Sequence, residues 1–184
     1  MTVGPIRTPR LELPALTVAQ LDLLLAGDRA AVGRELDAEM GEAWLDDARW
    51  LLALRREQLR EHPDHEPWLI RPLILREDGH VPAAIGYVNF HAPPDEAGVA
   101  EIGYALLPEW RGRGYAIEAA RGALAWAAAD PRTRTLRASV APDNEPSLRL
   151  IAKLGFVRTG EQWDPDDGLE LVHDVAAAEF DGGA

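Results

Sequence analysis

The stretch that most constrains this chain is Arg111-Gly112-Arg113-Gly114-Tyr115-Ala116. It joins an apolar run ending at Leu106-Leu107-Pro108 to an alanine-rich segment with helical spacing. The implied order is strand, glycine turn, helix. Such a turn leaves main-chain N–H groups without partners at the positive end of a helix dipole, where a phosphate or pyrophosphate can bind. Glycine lets the backbone turn tightly and approach a ligand with no Cβ in the way. Arg111 and Arg113 add forked donors suited to phosphate oxygens. A phosphate-bearing cofactor is the expectation. The bland alternative is a glycine turn that binds nothing.

Two familiar phosphate loops fail on residue identity. The dinucleotide fingerprint needs a further glycine at position 117, which is Ile117. The triphosphate loop needs Gly-Lys-Ser/Thr, and the only lysine is Lys153. Composition removes other classes. There is no cysteine, hence no disulfide, thiol nucleophile or Cys-ligated zinc. The formal net charge of −12 argues against nucleic acid as a main partner and suits a cationic one, although acidity also simply aids solubility. The apolar run Ala123–Ala129 is too short to span a bilayer, and Met1–Arg10 has no hydrophobic signal core. These features read as a cytoplasmic protein. Abundant Arg beside a single Lys suggests a GC-rich bacterial genome. The length of 184 residues suits one domain over 1–184.

Leu11-Glu12-Leu13 reads as a first strand, and Thr17 as the N-cap of a helix bearing Leu21, Leu24 and Leu25. Helical spacing follows over about 28–36 and 45–61, ended by Pro63. Strands are expected over 68–76, 83–91 and 99–107, then a helix over 115–129 and a strand over 135–140. Asp143 or Asn144 caps a short helix that ends at Gly155, with Phe156 packing back. Two strands close the chain, near 156–162 and 169–175. That gives seven strands in an α+β order, with a mixed, mostly antiparallel sheet flanked by helices.

Arg111, Gly114 and Ala116 form Arg-x-x-Gly-x-Ala, which resembles the acyl-CoA pyrophosphate loop of the GNAT N-acetyltransferases. Asn144-Glu145-Pro146-Ser147, with Leu150, Leu154, Gly155 and Phe156, resembles that superfamily's second cofactor motif. Glu101-Ile102-Gly103-Tyr104-Ala105-Leu106 looks like its fourth strand. Thr8-Pro9-Arg10-Leu11-Glu12-Leu13 is similar to the start of the RimJ/RimL branch, which acetylates ribosomal-protein N-termini.

The resemblance implies a GNAT fold in which the fourth and fifth strands splay apart. Main-chain groups of Tyr104, Ala105 and Leu106 would hold the pantetheine arm of acetyl-CoA. The amides from Gly112 to Ala116, with Arg111, Arg113 and Tyr115, would hold its pyrophosphate. A main-chain N–H near Ala105 or Leu106 would face the thioester oxygen. Glu101 is the candidate base for the acceptor amine, directly or through water, against the ordinary role of a solvated strand carboxylate. The helix tyrosine that serves many members as an acid is replaced by Ile151. Ser147 could bond the leaving thiolate or the pantetheine, or only support the helix cap. Asn144 likewise could bond pantetheine or only cap.

The implied acceptor is a primary amine, foremost a protein or peptide N-terminus. The rivals are a small amine (polyamine, amino acid or aminoglycoside) and a non-catalytic acyl-CoA sensor. A homodimer is compatible with the family, but no exposed apolar stripe marks its surface. No metal is expected: His62, Asp64 and His65 have metal-like spacing but lack a further ligand beside Pro63. His91 is a lesser alternative base. Trp44, Trp50 and Trp68 suit either core or acceptor pocket. Asp164, Asp166 and Asp167 suit either a turn or a cation-attracting loop.

Overall fold

A computed structural model of the chain describes residues 4–165, 168–180 and 182. Among these lie eight strands and five α-helices. In chain order they are β1 (Ile6–Arg7), β2 (Leu11–Leu13), α1 (Val18–Leu25), α2 (Arg29–Leu36), α3 (Glu42–Glu61), β3 (Arg71–Leu75) and β4 (Ala83–Phe90). There follow β5 (Val99–Leu106), α4 (Tyr115–Ala128), β6 (Thr135–Val140), α5 (Glu145–Lys153), β7 (Val157–Asp164) and β8 (Gly168–Ala176). The seven strands expected from sequence become eight because of β1. It has two residues, too few for any alternation to show, and exists by pairing Ile6 with Leu13 across the Thr8-Pro9 turn.

The chain divides into two compact units. The first holds the described residues up to Asn89 together with Tyr104–Ala119. In it β1, β2, β3 and β4 pair successively and antiparallel. Helices α1, α2 and α3 contribute Leu21, Val32, Trp44 and Leu52 to a core shared with Ile74 of β3 and Leu107. The apolar stripe of α3 (Trp44, Leu45, Ala48, Leu51, Leu52, Leu59) is buried throughout, whereas Trp50 is exposed. Thr17 forms a capping box with Gln20: each side-chain oxygen accepts from the other residue's main-chain N–H.

Strand β3 starts at Arg71, three residues later than the apolar run Trp68-Leu69-Ile70 suggests. Those residues instead turn, with Trp68 and Leu69 both donating to the His65 carbonyl. Arg71 holds the turn. It is 1% exposed, and its guanidinium donates to the carbonyls of Pro67 (2.8 and 3.1 Å) and Leu13 (2.7 Å). Burial pushes this guanidinium down to about 10.

The second unit holds Phe90–Gly103 and the described residues from Ala120 onward. Here β5 runs parallel to β6, β6 antiparallel to β8, and β8 antiparallel to β7. Alternation sets the faces. Ala100 and Ile102 of β5, and Leu136, Ala138 and Val140 of β6, are buried. Glu101 and Arg137, a register pair, stand on the opposite face. The β5–β6 pairing covers only Val99↔Thr135, Ala100↔Leu136 and Glu101↔Arg137, although β6 continues to Val140. Helix α5 ends as the sequence indicates: Gly155 has φ +85°, its N–H bonds the Ala152 carbonyl, and Phe156 N–H bonds that of Ile151. Among the described residues no helix is long and apolar enough to cross a membrane.

Arg71→Met should cost about 3 kcal/mol of stability, because the Leu13 and Pro67 carbonyls lose their buried donor. A urea midpoint equal to that of the wild type would remove Arg71 from this role.

Candidate active site

The loop has the backbone that the sequence requires. Gly112 and Gly114 have φ of +76° and +84°, a region that side-chain-bearing residues rarely adopt. Arg111 ends a short 3-10 turn, Pro108–Trp110, and its Nε donates to the Leu106 carbonyl at 3.0 Å. Among the described residues, none accepts a hydrogen bond from the main-chain amides of 112–116. These donors open the N-terminus of α4. Arg113 is exposed, with its guanidinium carbon 5.2 Å from the centre of the Trp110 ring. The chemistry of this donor set fits a pyrophosphate.

Tyr115 is buried, and its side chain is committed elsewhere than to a ligand. Its hydroxyl donates to Glu77 Oε2 at 2.5 Å, and the Arg10 guanidinium lies 4.3 Å from its ring centre. The Glu77 hydrogen bond raises the Tyr115 hydroxyl above its ordinary value. Only the main chain of Tyr115 is left for a cofactor.

One turn into α4, Glu118 is the hub of a second set of contacts. Its Oε1 accepts from the Thr8 hydroxyl (2.6 Å) and the Arg10 amide (2.8 Å), and its Oε2 from Arg10 Nε (2.7 Å). Burial alone would raise this carboxyl. The bonds from Thr8 and Arg10 outweigh burial and hold it below the ordinary carboxylate value. Sequence reasoning used Thr8 and Arg10 only as a resemblance and passed over Glu118 and Glu77. Partners more than a hundred residues apart leave no local signal.

On β5, Tyr104, Ala105 and Leu106 lie directly before the loop. Ala105 sits tight against Gly86 of β4: a Cβ on Gly86 would stand 2.2 Å from the Ala105 oxygen. Gly86 also gives its carbonyl to Trp44 Nε1 at 2.7 Å. Trp44 is thereby a core residue with a polar tether.

Glu101, three residues before Tyr104 on the same strand, belongs to the second unit. Its side chain is 19% exposed, its Oε1 is buried without a hydrogen-bond partner among the described residues, and its Oε2 lies 3.9 Å from His91 Nδ1. The His91 amide donates to the Glu101 carbonyl at 2.9 Å, which places the two residues side by side. A buried carboxylate oxygen without a donor is costly unless a ligand or water satisfies it. Beyond Glu101 on the same face, Arg137 grips Asp174 through two bonds (2.8 and 3.0 Å). Asn144 caps α5, its Oδ1 accepting from the Ser147 amide at 3.2 Å. Ser147 is half-buried in the first turn.

Three other candidates were named from the sequence. His62, Asp64 and His65 do come together, with donor atoms within 4.8 Å of one another. The two imidazoles, however, stack at 4.8 Å and 17°, so their ring planes do not converge on one point. Trp68 is buried and Trp50 exposed. Of the acidic loop, Asp166 and Asp167 lie outside the described residues.

Residues 10–157 match the family model described as an acetyltransferase (GNAT) domain, and the chain belongs to this family. It is therefore an acetyltransferase of a family that uses acetyl-CoA and acts on amines. The uncharacterized N-acetyltransferase YjdG of Bacillus subtilis is 29% identical over 156 residues, covering 83% of this chain and 89% of its own. Among solved structures, RimJ of Mycobacterium smegmatis, in complex with CoA-disulfide, superposes with a TM-score of 0.61 at 21% identity, covering 96% of this chain and 88% of its own. A chimera of the spermidine N-acetyltransferase SpeG of Vibrio cholerae and hSSAT gives 0.61 at 16%, covering 92% and 96%. At such identities the structures share the fold.

Two outcomes are expected. Gly86→Ala should weaken acetyl-CoA binding and stability together, because a main-chain oxygen on β5 has to move; unchanged calorimetric affinity and melting temperature would rule out the tight approach. Glu118 should also shape the acid limb of stability. Its carboxyl is depressed in the folded chain, so its contribution is present above the ordinary carboxylate pKa and lost as pH falls through the folded value. Between about pH 5 and pH 3 the wild type should lose more melting temperature than Glu118→Gln. Parallel melting curves would contradict this.

Proposed function

We propose that this chain, as a single domain over residues 1–184, is an N-acetyltransferase of the RimJ/RimL type whose acceptor is a protein or peptide N-terminus. The observation carrying the cofactor side is the run of unbonded amides at 112–116 on two positive-φ glycines. Bound acetyl-CoA supplies an activated acetyl group. The loop amides, with Arg111 and Arg113, bind its pyrophosphate. Main-chain groups of Tyr104, Ala105 and Leu106 hold the pantetheine, with Asn144 as a further donor through its amide nitrogen.

Glu101 takes the proton of the acceptor ammonium, since only the neutral amine is a nucleophile. Its low exposure and partnerless Oε1 support this role. Ser147 offers its hydroxyl to the departing thiolate. The opening Thr8-Pro9-Arg10-Leu11 and the likeness to RimJ favour an N-terminal amine. A second reading, a polyamine acceptor, is favoured by the likeness to the spermidine enzyme and by the net charge of −12.

The deciding experiment is CoA release with acetyl-CoA and a panel of N-terminal peptides and of spermidine and related amines. Turnover with peptides alone supports the proposal, and turnover with spermidine alone moves the acceptor to the second reading. With the active acceptor, Glu101→Gln should lower kcat by about a hundredfold or more at unchanged acetyl-CoA affinity. Undiminished kcat would mean that Glu101 is not the base. Gly114→Val should abolish acetyl-CoA binding, and retained affinity would remove the loop assignment.

A further inference from the structure

We infer that Arg10 is a positioning residue for the cofactor loop: it sets affinity for the pyrophosphate-bearing ligand by bracing 113–115 and by cancelling the charge of Glu118. The inference rests on the reading of 111–116 as the pyrophosphate site.

A loop with two glycines is costly to hold in one conformation, because glycine has the most backbone freedom to lose. Some element outside the loop has to fix it. Arg10 reaches three successive loop residues with one side chain. Its Nη1 donates to the Arg113 carbonyl at 3.2 Å. Its Nη2 stands 3.3 Å from where a Gly114 Cβ would be. Its guanidinium carbon lies 4.3 Å from the centre of the Tyr115 ring. Tyr115 is tied in turn to Glu77, so the start of α4 is gripped on two sides. The planar fork is required here, because a lysine ammonium cannot span a carboxylate, a carbonyl and a ring face at once.

The electrostatics point the same way. Glu118 lies in the first turn of α4, and its side chain is only 14% exposed. A carboxylate there suits the helix dipole but repels an incoming phosphate. Arg10 pairs with it at 2.7 Å, and Thr8 and the Arg10 amide occupy its other oxygen. The N-terminal segment thus turns an unfavourable charge near the anion site into an anchor.

The test compares wild type with Arg10→Ala, Arg10→Lys, Glu118→Gln and the Arg10→Ala/Glu118→Gln double variant. Acetyl-CoA affinity is measured by calorimetry. Trypsin cleavage after Arg111 and Arg113 is followed by mass spectrometry, with Gly114→Val as the control for the loop itself. Arg10→Ala should weaken acetyl-CoA about tenfold and speed loop cleavage by a similar factor. Arg10→Lys should fall between it and wild type. Adding Glu118→Gln to Arg10→Ala should restore about threefold in affinity, since the uncompensated charge is removed. A purely structural Arg10 would show no such recovery, and that result overturns the inference.

So does Arg10→Ala with wild-type affinity and cleavage while Gly114→Val abolishes binding. If Gly114→Val itself binds normally, the loop assignment fails first, and the inference with it. Should Arg10→Ala not fold, Arg10→Lys decides: wild-type affinity and cleavage overturn the inference, and a loss in both supports it.

Discussion

The glycine loop before α4 depends on a row of main-chain donors that find no acceptor among the described residues. The first turn of any helix leaves such amides. At α4 the two positive-φ glycines extend the row backward into the loop, so that none of the amides of 112–116 has an acceptor among the described residues. Open donors cost the fold little while water reaches them.

Keeping that row in place falls to side chains from elsewhere in the first unit. Arg10 and Glu77 hold Tyr115, Arg10 and Thr8 hold Glu118, and Arg111 ties back to the end of β5. Gly86, pressed against Ala105, removes any side chain that would push β5 away. The second unit supplies a different device. There the β5–β6 pairing stops after Glu101↔Arg137, and Glu101 is left with a buried oxygen free of partners.

Much of this was legible in the residues. Gly112 and Gly114 announced a turn that only glycine can make, Thr17 a helix N-cap, and Gly155-Phe156 a helix stop, each a local rule obeyed locally. The stripe on α3 was readable because helical periodicity is a property of the segment alone. Other features were not. The two-residue β1 has no pattern to read, and the start of β3 shifted because Arg71 bonds the carbonyls of Pro67 and Leu13 and keeps 68–70 in a turn.

What the sequence by itself determined is the class of chemistry. Short motifs carry the resemblance to acetyltransferases, and a strand, a glycine turn and a helix set a row of open main-chain donors, because backbone sterics and the helix dipole act over a few residues. Which groups brace that loop, and which carboxylate oxygen is buried without a partner among the described residues, were decided only by tertiary structure. Thr8 and Arg10 meet Glu118 across more than a hundred residues, and the burial of Glu101 depends on what surrounds its strand. Interactions between distant segments write no period and no motif into the chain, so they are seen only once it is folded.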